Sequence, residues 1–240
     1  MMGPHLTGFP AEGLQFLKRL KRNNNRDWFL ANKTIYEESV KRPMQELVES
    51  LAAEFARFAP EIQASAKVSL YRINRDTRFS KDKSPYKTHV AAVFPPRGLE
   101  KHQGAAFYLH IAPSELFIGG GLYMPLPEDL QVVREAIASG HRRFAQIVQN
   151  KAFRRMFTQL TGEQLIRVPR GFSATHAAAD YLRYKQFLAA RTLPPESATS
   201  RNFSRTLIET FKTLHPFIQF LNEPILVSRR TRQRQDSLLT

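Results

Sequence analysis

AFYLHIAPSELFIGGGL, residues 106–122, is the stretch whose reading decides the fold class. Ala106–Ile111 and Leu116–Leu122 are short and rich in aromatic and β-branched residues, and Pro113-Ser114 between them reads as a tight hairpin. Alternation along the first run puts Tyr108 and His110 on one face, opposite Phe107, Leu109 and Ile111. Working outward, Val68–Ile73 and His89–Phe94 have the same texture, bounded by Pro, Gly and charged turns. Spacings this short favour antiparallel neighbours, since a parallel crossover needs a dozen or more residues. Gln186–Leu193 reads as a fifth strand or as a helix extension. The expected sheet is an antiparallel meander of four to five strands.

Helical periods flank this β region. On the N-terminal side Leu14, Phe16, Leu17 and Leu20 recur at helical spacing, and Asn23–Asn25 is a stop-and-restart signal. Asn25 can cap a second helix carrying Trp28, Phe29, Ile35 and Tyr36, and Pro43 permits a new first turn or a kink before Met44, Leu47, Val48, Leu51 and Phe55. On the C-terminal side Pro127 opens a helix bearing Leu130, Val133 and Ile137, with further stripes at Phe144–Val148 and Phe153–Leu160. Asp180–Tyr184 is helical in character, and a last long stripe runs from Phe203 to Leu221. The fold class expected is α+β, the sheet packed against N-terminal and C-terminal helices in one domain over 1–227. From Ser228 onward the arginines at 229, 230, 232 and 234 read as a basic disordered tail over 228–240.

The charge is extreme for a chain of 240 residues: 36 basic against 21 acidic side chains give +15. Such an excess attracts anionic partners and is silent about fold. With no cysteine, thiolate metal sites, disulfides and cysteine nucleophiles are excluded, and a reducing compartment fits. No apolar run approaches the roughly 18–20 residues of a membrane span. The reading is cytoplasmic, with no membrane partner. P-loop, dinucleotide, nucleophile-elbow and kinase signatures are missing, as are paired-histidine and EF-hand metal motifs.

The densest chemistry lies between Arg72 and His89. Arg72, Arg75, Arg78, Lys81, Lys83 and Lys87 stand against Asp76 and Asp82, with Phe79, Pro85 and Tyr86 interleaved. Three arginines at intervals of three cannot share one strand face, so the strand should end near Ile73 and a packed loop follow whose guanidinium groups converge. Arginine's planar fork suits carboxylate or phosphate, and lysine adds a point charge. The same residues also suit a structural staple that ties an irregular loop to a sheet.

The spacing Arg72-x-x-Arg75-Asp76-x-Arg78-Phe79-x-x-Asp82-Lys83-x-x-Tyr86 resembles the signature of a bacterial family, found also in fungi, catalogued as domain of unknown function 2461. The resemblance extends to Asn24-x-Arg26-Asp27-Trp28-Phe29, to Gly119–Pro125 and to Pro169–Phe172. It implies that the cluster is the family's defining site and carries no reaction with it. On the residues themselves, Arg72, Arg75, Arg78, Lys83 and Lys87 are the candidate anion ligands. Tyr108, Tyr123 and the amide of Gly120 are added as pocket wall and cradle, although a lone glycine run more often serves packing. Asp76, Tyr86, His89 and His110 are the candidates for proton transfer. No metal ligand set and no cofactor is assigned. The expected partner is a phosphate- or carboxylate-bearing small molecule; the alternative is a nucleic acid held on the basic surface.

Overall fold

In the computed structural model, which describes residues 8–238, four strands form one antiparallel sheet in the order β1-β2-β3-β4: Val90–Phe94, Ala106–Ile111, Leu116–Leu122 and Phe187–Leu193. The α+β class and the meander are as the sequence reading has them. The run read as Gln186–Leu193 is strand over Phe187–Leu193, and Val68–Ile73 is not. That segment begins as a helical turn, α5 (Ala66–Ser69), preceded in chain order by α1 (Ala11–Arg22), α2 (Arg26–Ala31), α3 (Lys33–Tyr36) and α4 (Arg42–Phe58). The cause is local. Ser65 Oγ accepts from Val68 N at 3.3 Å and Ser69 Oγ from Ser65 N at 3.3 Å, so serine side chains satisfy the backbone of a turn. Beyond it the chain extends, and its bridges are isolated ones, Leu70 with Ala92 of β1 and Asn74 with Tyr86 ahead of that strand.

Backbone contacts divide the chain into two compact units. Among the described residues unit 1 comprises 8–94, 108–118 and 191–210, and unit 2 the remainder; β2, β3 and β4 contribute residues to both.

The core of unit 1 is aromatic. Phe16 on α1 packs against Trp28, Phe29 and Tyr36 with ring centroids at 5.6, 6.2 and 5.8 Å. Asn25 caps α2, as its position suggests, by accepting from Trp28 N at 2.9 Å. Between α3 and α4 the helix widens into a π-type turn at Glu37–Lys41, just before Pro43. Proline cannot donate to the carbonyl four residues back and its ring crowds that group, so a wider turn relieves the clash. On β2, Phe107, Leu109 and Ile111 are buried while Tyr108 and His110 are partly exposed, the alternation the sequence predicts.

Unit 2 holds α6 (Pro127–Ser139), α7 (His141–Val148), α8 (Lys151–Phe157), α9 (Ala179–Leu182) and most of α10 (Phe203–Leu238). Phe144 lies at its centre, 5.0 Å from Tyr181 and 5.1 Å from Phe220. The side chain of Asn222 clasps the backbone of Ala105 from both sides, accepting from its N–H at 2.7 Å and donating to its carbonyl at 2.9 Å. The glycines of β3 are packing positions: a Cβ on Gly120 would sit 2.9 Å from Leu214 Cδ2, and one on Gly119 2.8 Å from Ala190 Cα. α10 runs to Leu238; Leu239 and Thr240 lie outside the described residues. Ion pairs tie its last third to α6. Arg229 donates to Asp129 at 2.7 Å and to Gln103 at 2.6 Å, and Arg232 reaches Asp129 at 3.7 Å.

Candidate functional site: a cationic cleft in unit 1

The segment between Arg75 and Pro85 is a long hairpin loop. Its base is closed by Arg75 N donating to Pro85 O at 2.9 Å and Lys87 N to Ile73 O at 2.8 Å. Asp82 folds the loop on itself: one carboxylate oxygen accepts from Ser84 N at 2.9 Å and Ser84 Oγ at 2.6 Å, and the other takes the Arg75 guanidinium. These donors, Ser84 before Arg75, hold the Asp82 carboxyl well below the usual carboxylate range. Asp76 is likewise engaged by Arg78, through Nε at 3.0 Å and a terminal nitrogen at 2.7 Å, which lowers its pKa. Lys83 donates to Thr77 O at 2.9 Å. The aspartates, Ser84 and Lys83 therefore shape the loop.

The loop's far end is fastened to the N-terminal helices. Asn24, in the turn between α1 and α2, donates from Nδ2 to Tyr86 O at 2.9 Å, and its Oδ1 accepts from Tyr86 N at 3.1 Å. The Tyr86 ring stacks on Phe29 with centroids 4.0 Å apart and 18° between planes. Two segments distant in sequence, Asn24–Phe29 and Arg72–Tyr86, thus meet in one clasp. Tyr86 is only 7% exposed, and its main part here is to anchor the loop.

Between loop, clasp and sheet lies a cleft of about 590 Å³. Lys21, Arg75 and Lys87 bring positive charge to its wall, Asp76 and Asp82 negative charge, and Asn24, Ser84, Tyr86, Thr88 and His89 complete it. Lys21 has no ion-pair partner among the described residues. Lys87 donates to Arg72 O at 3.0 Å and lies 5.1 Å above the Tyr71 ring. Burial, and then the Arg72 cation, pull Lys87 below the ordinary lysine range, a state that a bound anion would relieve.

His89 is half-buried where the cleft reaches the sheet. Burial, with the charges of His110 and Lys87 adding to it and Glu115 opposing, depresses its pKa to about 4, so the ring is neutral at pH 7. Its centroid is 5.3 Å from that of His110. His110 in turn is held at both nitrogens, Nδ1 at 3.3 Å from the Tyr108 hydroxyl and Nε2 at 3.2 Å from Glu115, and it stacks on Phe117.

Of the residues singled out from sequence, Arg75, Asp76, Tyr86, Lys87 and His89 line the cleft together. His110 and Tyr108 lie behind His89. The arginines do not converge as expected: Arg78, its side chain 76% exposed, is held by Asp76, and Arg72 is not among the lining residues. Lys83 is tied to the loop backbone. Gly120 and Tyr123 belong to unit 2, where Gly120 packs against Leu214 and Tyr123 is largely exposed. Lys21, Asn24, Ser84, Thr88 and the supporting Glu115 are contributions that sequence reasoning did not assign. The one hint was Asn24, which opens the second motif. Among the described residues no group of three or more His, Cys, Asp or Glu side chains could hold a metal ion, and no helix is long and apolar enough to cross a membrane.

The family model for a conserved hypothetical protein, DUF2461, matches residues 12–220, which include every residue of the cleft and of the clasp. No curated protein matches the chain.

Proposed function

We propose that this chain, which belongs to the DUF2461 family of conserved hypothetical proteins, binds a phosphate- or carboxylate-bearing small molecule in the unit 1 cleft. The observation that carries the reading is the state of the charges there. Both carboxylates at the wall are already satisfied by arginines, whereas Lys21 and Lys87 face the space with ammonium protons to spare. A volume of about 590 Å³ suits a small ligand. Arg75 supplies the planar fork, and an incoming anion competes with Asp82 for it.

The test is a binding screen of nucleotides, sugar phosphates and organic acids by thermal shift and calorimetry, with Lys21→Ala and Lys87→Ala alongside. A ligand at a hundred times its dissociation constant stabilises the fold by about 2.7 kcal/mol. Removing one charged donor should weaken it about tenfold or more. If no small anion binds the wild type, the reading fails.

A second reading has one observation in its favour. Phe79, at the tip of the loop, is 94% exposed, with the Arg78 guanidinium 5.7 Å from its ring centroid and Lys81 and Lys83 following in sequence. An exposed ring among cations can stack a base of single-stranded nucleic acid. Phe79→Ala would then weaken single-strand binding severalfold, and binding would fall steeply with salt; salt-insensitive binding of one small anion decides against it.

A further inference from the structure

Resting on the anion-binding reading, we infer that His89 is the proton acceptor of the cleft, so that an oxyanion binds there together with one proton. His89 is the one imidazole on the cleft wall, and it belongs to no hydrogen-bonded pair with His110 although their centroids are only 5.3 Å apart. His110 is occupied on both sides, by Tyr108 and Glu115, and so works as a fixed backing for His89.

The groups that face His89 come from every side of the cleft. Lys87 stands two residues before it on the same segment, His110 and Tyr108 lie on β2, Glu115 in the β2–β3 turn, and Lys21 at the end of α1. From the loop come Arg75, Asp76 and Asp82, the aspartates engaged by Arg78 and Arg75. Burial first, and with it the charges of His110 and Lys87, keeps the ring unprotonated. An anion seated between Lys21, Arg75 and Lys87 reverses the sign of the field at the ring. An opposite charge within about 4–6 Å raises a pKa by about 1–3 units, which carries His89 toward neutrality. The ring nitrogen then takes a proton, its charge supported by the ligand, and is positioned to pass that proton to an oxygen of the same ligand. The ligand class is accordingly an oxyanion whose binding strengthens on acidification.

Sulfate is the probe, because it has no proton of its own to exchange between pH 5 and 8. A rise of about two units in the His89 pKa tightens sulfate about tenfold between pH 8 and pH 5. Calorimetry on the full chain should show that gain, and ring resonances of His89, assigned with His89→Gln, should titrate at higher pH when sulfate is saturating. His89→Gln should still bind sulfate but with a flat pH profile, and His110→Gln should keep the slope. Sulfate binding that is equal at both pH values, with His89 resonances unmoved, overturns the inference and leaves the anion site standing. A slope that vanishes in His110→Gln and survives in His89→Gln puts the proton on the wrong ring and also overturns it. No sulfate binding at any pH overturns the inference, and the anion site falls with it if no phosphate- or carboxylate-bearing compound of the screen binds either.

Discussion

The clasp of Asn24 on Tyr86 offers a clean test of how the cleft is held together, because its two bonds reach the backbone of Tyr86 and not its hydroxyl. Asn24→Ala removes the 2.9 Å and 3.1 Å bonds at one stroke and strands the N–H and carbonyl of a residue that is 7% exposed. Neutral hydrogen bonds contribute about 1 kcal/mol each, so about 2 kcal/mol is lost directly. The Phe29–Tyr86 stack, worth about 0.5–1.5 kcal/mol beyond area burial, loses its support as well. The expected total is about 2–3 kcal/mol. Urea unfolding with a slope of about 2 kcal/mol/M converts this to a midpoint lower by about 1 M. Tyr86→Phe keeps both bonds and the stack and should cost less than about 0.5 kcal/mol; Asn24→Asp sets a carboxylate against the Tyr86 carbonyl and should cost at least as much as the alanine. If Asn24→Ala unfolds within about 0.5 kcal/mol of wild type, the clasp contributes nothing and the cleft is held by the loop's own bonds.

Asp82→Asn frees part of the Arg75 fork, so sulfate affinity should rise severalfold in calorimetry. Stability should change little, because the pair is open to solvent. Asp129→Ala removes a carboxylate only 1% exposed and leaves Arg229 with Gln103 alone, a loss of about 2 kcal/mol, and hydrogen exchange over residues 228–235 should speed up before the rest of α10. The His89 pKa lies at about 4 in the fold and about 6.5 unfolded, so the unfolded chain binds more protons between those values. Its contribution therefore falls as pH drops from about 6.5 to about 4 and is level below that. Allowing for its partial exposure, the effect is about 1–2 kcal/mol and should be missing from the pH–stability curve of His89→Gln. Asp76 and Asp82 act lower, their contribution present above the ordinary carboxylate range and lost as pH falls through their depressed values.

What the sequence made legible was what local pattern controls. The alternation in Ala106–Ile111 survives because Phe107, Leu109 and Ile111 face the core, and the cap at Asn25 needs only a residue three places on. Val68–Ile73 misled because its β-branched residues say nothing of Ser65 and Ser69 closing a turn. Nor does the basic run after Ser228 tell of Asp129, a hundred residues earlier, which meets Arg229. The candidate site divides the same way. Arg75, Asp76 and His89 could be named from their cluster, whereas Lys21 and Asn24 enter the cleft from the end of α1 and the turn after it. Composition also could not say which arginine Asp76 would occupy; its choice of Arg78, two residues away, left Arg75 for Asp82.

Trp28 is the only tryptophan in the chain, and it lies in unit 1, half-buried at 5.6 Å from Phe16 and four residues from Asn24. Indole emission is therefore an optical channel tuned to one half of the molecule. Unit 2, with its own tyrosines but no indole, is dark in it. Fluorescence and far-UV circular dichroism recorded on one denaturation series thus answer different questions. Coincident curves mean the two units melt as one, and an early loss of the indole signal means that the half bearing the cleft lets go first.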